Sequence, residues 1–129
     1  MIVEGMDKIE TAGTSAGNYD MDTGAISAKI QDWSSLCKLR ILSADRASIK
    51  IGFDTLPEDM DSFASDIYSF CPDIVDQGTG CVREVIEEMG VPPYLAGLVE
   101  DIDFSDENHG LEILKRLISR DRQLKLWWD

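Results

Sequence analysis

Ser48-Ile49-Lys50-Ile51-Gly52-Phe53 decides the fold. Apolar and polar residues alternate along it, so Ile49, Ile51 and Phe53 share one face of an extended chain. Just upstream, Leu39-Arg40-Ile41-Leu42-Ser43 reads as a second strand, with Asp45 at the turn between them. The pair is a hairpin. Gln123 to Trp128 closes the chain with the same alternation: Leu124, Leu126 and Trp128 face one way, Lys125 and Trp127 the other. That run is too apolar to stand unpaired and is expected to add beside the hairpin.

Helical periodicity fills the rest. Asp22 or Thr23 caps a helix that carries Ile26, Ile30, Trp33 and Leu36 on one face. Pro57-Glu58-Asp59 suits a first helical turn, because proline fits there and acids favour the positive end of the dipole. Met60, Phe63, Ala64, Ile67 and Phe70 follow as a stripe that Pro72 ends. A further helix carries Val82, Val85, Ile86 and Met89 and closes at Gly90. Pro92 and Pro93 are expected to open a short helix with Leu95, Leu98, Val99 and Ile102. A last helix holds Leu111, Leu114, Leu117 and Ile118.

The sum is an α+β fold, a two-layer sandwich: a three-stranded, mainly antiparallel sheet with helices packed on one face. Residues 1–22 are small and polar, with the run Thr11-Ala12-Gly13-Thr14-Ser15-Ala16-Gly17, and read as a loose leader. Residues 23–129 read as a single α+β domain. Trp33, Ile51, Phe53, Phe63, Ile67, Val85, Leu126 and Trp128 are the expected core.

Charge narrows the function. The 129 residues carry a formal net charge of −13. Such a surface repels phosphate, which disfavours nucleic acid and anionic membranes as partners. The imbalance is local: from Asp54 to Glu112 the only cation is Arg83, against sixteen acids. No apolar run approaches the roughly 18 residues of a membrane span, and the start lacks a secretory pattern. Cys37, Cys71 and Cys81 are an odd set without CxxC spacing, so buried free thiols in a reducing cytoplasm are expected. With the lone His109 there is no zinc spacing. No phosphate loop or GxGxxG is present, and no cofactor is expected.

Two stretches could carry chemistry. In Cys71-Pro72-Asp73-Ile74-Val75-Asp76-Gln77-Gly78-Thr79-Gly80, a helical turn places Asp73 and Asp76 on one side. Close carboxylates can share a proton or hold a hard cation. Gln77 adds an amide, Gly78 and Gly80 permit close backbone approach, and Trp127 and Asp129 at the chain end complete a candidate polar site if the last strand reaches it. The plainer alternative is that Asp73 and Thr79 cap helices, the glycines make turns and the tryptophans fill core. The segment Cys71–Gly78, joined with Leu126-Trp127-Trp128-Asp129, resembles the family catalogued as domain of unknown function 4253. The resemblance covers roughly residues 24–129, with 91–110 standing out as an insertion. It implies kinship and no catalytic residue.

The second stretch runs from Asp101 to Glu112. Counted as a calcium loop it offers Asp101, Asp103, Ser105, Glu107 and Glu112 at oxygen-ligand positions. The sixth position should be glycine and is Asp106, so a metal is not expected. A capped loop, with Ser105 or Asp106 at the next helix start, is the better reading. Nothing in the sequence brings His109 to a cysteine. Three functions follow, in order: a non-catalytic module binding a basic protein partner, an enzyme or cation site on Asp73, Asp76 and Asp129, and a self-associating structural subunit.

Overall fold

The computed structural model describes residues 3–16 and 19–128. It is an α+β chain with a three-stranded antiparallel sheet. Its contacts divide it into two compact units, residues 1–59 with 122–129, and residues 60–121, where the sequence reading expects one domain after residue 22.

The first unit holds the sheet. Strands β1 (Leu39–Ala44) and β2 (Ser48–Phe53) form the expected hairpin, and β3 (Gln123–Trp127) pairs antiparallel with β2. Ile41 opposes Ile51, which in turn opposes Leu124, so one buried row crosses all three strands. A bulge between Ile41 and Ser43 shifts the register of β1. Trp128 lies just past β3, buried, and its N–H donates to Ala47 O at 3.1 Å. Helix α2 (Thr23–Trp33) starts where Asp22 accepts from the Ala25 N–H at 2.8 Å, and it buries Ile26, Ile30 and Trp33.

The leader is not loose over its described residues. Helix α1 (Met6–Ala12) packs on β1 and buries Ile9 completely. Glu4 accepts from the Ile41 N–H at 2.8 Å, Lys8 reaches Leu42 O at 3.2 Å, and the buried Thr14 hydroxyl donates to Asp45 O. The segment has too few apolar residues to show periodicity. Val3, Ile9 and Ala16 are nevertheless all buried, and backbone bonds to the hairpin hold it.

The second unit is helical. Helix α3 (Met60–Phe70) buries Phe63, Ala64, Ile67 and Phe70. It begins three residues after Pro57, so the Pro57-Glu58-Asp59 turn stays outside it. A short α4 (Asp73–Asp76) and a 3-10 turn (Thr79–Cys81) lead into α5 (Val82–Met89). There Val82 is buried and Val85 only partly so, which removes Val85 from the expected core; the other seven expected core residues are buried. Pro92 and Pro93 open turns and not a helix. Leu95 and Leu98 bond back three residues, and Asp101 adopts a left-handed φ of 60°, so no regular ladder propagates. Leu95 and Leu98 still join Val82 and Ile113 in a core. Helix α6 (His109–Asp121) packs on α3. Among the described residues no helix is long and apolar enough to cross a membrane.

Candidate functional site

Both stretches singled out in the sequence belong to the second unit, and they meet there. Gly110, at the start of α6, lies against the turn after α4. A Cβ on Gly110 would stand 2.8 Å from Val75 Cγ1, 3.0 Å from Gly80 Cα and 3.1 Å from Gly80 N. Gly80 has no room either, since a Cβ there would stand 2.5 Å from Val75 O. Glycine at both places lets the two backbones touch. Gly80 of the motif thus serves a helix start thirty positions away.

Beside this contact opens a cleft of about 300 Å³, bordered by Tyr68, Asp76, Cys81, Glu84, Glu107 and His109. Tyr68 donates its hydroxyl to Asp76 Oδ1 at 2.7 Å. That bond, and after it burial, pushes the phenol above its ordinary value of 10.0. The Cys81 thiol sits 3.1 Å from Asp76 O. Asp73 turns the other way: it is buried, with Gln77 donating to its Oδ1 at 3.4 Å. The paired carboxylates expected from the spacing therefore occupy different surroundings, one buried and one exposed. The N-cap positions of this stretch fall to residues other than Asp73 and Thr79. Helix α4 has Pro72 at its N-cap without a side-chain bond, and the buried Thr79 hydroxyl finds no partner among the described residues. Arg83 pairs with Glu87 at 3.1 Å and not with the motif.

His109 is the residue that sequence reasoning left aside. Its Nδ1 lies 2.8 Å from Asp106 O. A carbonyl only accepts, so Nδ1 donates here, and in the neutral ring Nε2 is the acceptor. That nitrogen is buried and has no partner among the described residues. Phe104 meets the ring edge-on at 5.4 Å. His109 and Cys81 thus border one cleft. The pairing of Gly80 with Gly110 was the available signal, but a glycine pair carries no periodicity to mark it.

His109 also borders a larger cleft of about 520 Å³ with Asp61, Asp101, Asp103, Asp106, Glu112, Lys115 and Arg116. Lys115 reaches Asp61 at 2.5 Å and Glu112 at 2.8 Å, and Arg116 reaches Glu112 at 3.2 Å. The hydrogen bond from Lys115 is the first cause holding the Glu112 carboxyl below its ordinary range. Asp103 Oδ1 accepts from the Ser105 N–H and hydroxyl, and Asp106 Oδ1 from the Asn108 N–H. Asp103, Ser105, Asp106 and Glu112 are thus engaged locally, and the loop's helix starts at His109, later than Ser105 or Asp106. Among the described residues, no group of three His, Cys, Asp or Glu is placed to hold a metal.

Trp127 lies in the first unit, partly buried, beside Asp45, Ser48 and Lys125 in a shallow cleft of about 580 Å³. Asp129, and with it the expected gathering of Asp73, Asp76 and Asp129, lies outside the described residues. Of the cysteines, Cys37 and Cys71 are buried and Cys81 is partly so; burial pushes the Cys37 thiol up to about 11.

The sequence model of the family described as "Domain of unknown function (DUF4253)" matches residues 2–129. The chain belongs to this family. The match takes in residues 2–23, ahead of the stretch where the resemblance was read, and runs through 91–110. No curated protein and no solved structure matches the chain.

Proposed function

We propose that this member of the family is a non-catalytic interaction module whose second unit binds a basic protein. One observation carries the reading. Glu84, Glu88, Glu100, Asp101 and Glu107 are exposed and have no basic partner among the described residues, whereas the motif carboxylates are engaged by Tyr68 and Gln77. Unpaired surface acids of one sign raise the encounter rate with a cationic partner and reject anionic ones. The bonds of Asp73 and Asp76 within the fold support a structural part for the motif.

Affinity capture from native extract, followed by reconstitution with the purified partner, tests this. A basic protein is expected, held regardless of EDTA and released by salt, because exposed charges are screened beyond about 10 Å at 0.1 M. A Glu84→Lys, Glu88→Lys variant should lose it. A partner without excess positive charge, or one indifferent to salt, refutes the reading.

The unpartnered Nε2 of His109, in a cleft shared with Asp76 and Cys81, favours a second reading: an enzyme or cation site extending the Asp73, Asp76 and Asp129 candidate. EDTA-sensitive binding, or activity lost in His109→Gln, supports that one instead. Self-association is the third reading, and sedimentation at rising concentration tests it.

A further inference from the structure

Met89, Val91 and Tyr94 are 74%, 50% and 64% exposed, and they fall within six consecutive residues at the end of α5. Isolated exposed apolar side chains are ordinary, but three so close together are not. The segment is held from beneath. Leu95 and Leu98 are buried, Gly90 N–H bonds to Ile86 O at 2.9 Å, and Arg120 donates to Tyr94 O at 2.7 Å. Arg120 itself is paired with Asp121. A firmly seated backbone thus presents a tyrosine and a methionine outward. Tyrosine is a frequent anchor in interfaces, and methionine adapts its shape to what it meets.

The rim is acidic. Exposed Glu84, Glu87 and Glu88 precede the patch on α5, and exposed Glu100 and Asp101 follow it. The one cation on α5, Arg83, is tied to Glu87. We infer that this patch is the docking surface of the interaction module, and that its occupant is a basic amphipathic segment of another protein, with an apolar anchor flanked by lysine or arginine. The inference rests on the preceding reading and gives the partner its chemistry. Charge selects the occupant: a second copy at −13 would bring like charge to a rim already acidic, and nucleic acid or anionic lipid would do the same. An apolar centre inside a charged rim is how grooves receive amphipathic helices.

The test uses two synthetic helical peptides of equal positive charge, one of lysine and leucine at amphipathic spacing and one of lysine and serine. Fluorescence anisotropy is read on the intact chain at about 50 and 500 mM salt. The leucine peptide should bind the native chain at low salt and weaken at high salt. The exposed double variant Met89→Gln, Tyr94→Ser should bind it about tenfold or more weakly while keeping the salt dependence. The serine peptide should bind native chain and variant alike. Equal binding of the leucine peptide to both proteins overturns the docking surface and leaves the acidic module standing. Failure of both peptides to bind at low salt overturns both. A dimer that the double variant abolishes means that a second copy covers the patch, and it overturns the inference alone.

Discussion

Gly110→Ala isolates the contact that joins the motif to α6. In an open helix interior this change is favourable, by up to about 1 kcal/mol. Here the new methyl would stand 2.8 Å from Val75 Cγ1 and 3.0 and 3.1 Å from two backbone atoms of Gly80. A side chain can rotate away, whereas the Gly80 backbone is itself pressed against Val75 O. Overpacking of this kind costs about 1–3 kcal/mol, and setting it against a propensity gain of about 1 kcal/mol leaves a net loss of up to about 2 kcal/mol. With a urea slope of about 2 kcal/mol per M, the midpoint should fall by up to about 1 M. The control is Gly97→Ala, where a Cβ meets nothing within 4 Å; it should stay within about 0.5 kcal/mol of the native chain. Val75→Ala added to Gly110→Ala removes the nearest side-chain neighbour, so the double variant should lose less than the sum of the singles. A midpoint that rises with Gly110→Ala refutes the close approach, because sign and not size separates a packed helix start from an open one.

Four further outcomes are expected. Phe63→Ala, at a side chain only 2% exposed, should cost about 3–5 kcal/mol in urea unfolding, and an unchanged midpoint would contradict its place in the core. Calorimetric titration with Ca²⁺ should reveal no micromolar site, since Lys115 and Arg116 already hold Glu112; a site that Glu112→Gln abolishes would reverse this. Alkaline titration should find Tyr68 ionising late. Its folded pKa is raised, so its contribution to stability is complete below 10.0 and fades as pH climbs through the raised value, and Asp76→Asn should lower it. In the native chain a thiol reagent should modify Cys81 ahead of Cys37, whose buried thiol is pushed up to about 11, and faster labelling at Cys37 would count against the burial.

The sheet was legible because one buried face imposes a period of two, and Ile49, Ile51, Leu124 and Leu126 keep it. Helices α2 and α3 were legible for the same reason at helical spacing, and Asp22 marked the start of α2. Helix α1 was not. It is seven residues long, starts from a glycine without a side-chain cap, and fully buries only Ile9, which leaves no stripe to read. The turns after Pro92 failed in the opposite way: Leu95, Leu98, Val99 and Ile102 have helical spacing, but mostly three-residue bonds, with a single four-residue bond from Val99 to Leu95, stand where a regular ladder would. At the site, the sequence marked Asp76 and the Asp101–Glu112 loop but treated them as separate places. Their meeting depends on tertiary contact between Gly80 and Gly110. The hydrogen bond from Tyr68 to Asp76 spans eight residues across the α3–α4 break, where no periodic rule reaches.

The order of the elements has a consequence for biosynthesis. Strand β2 pairs with β1 across a short turn, but its other partner, β3, comes after the whole of residues 60–121. As the chain emerges from the ribosome, the hairpin and its N-terminal helices can form early, and β2 must then wait with one hydrogen-bonding edge unfilled. Pairings so distant in sequence are slow to close, and an unfilled edge invites another nascent chain to add to it. The helical unit, being contiguous, can fold during that interval. Truncation before Gln123 is therefore expected to yield a chain that associates through β2, and a separate peptide spanning Gln123–Trp128 should restore it to solution by supplying the late strand in trans.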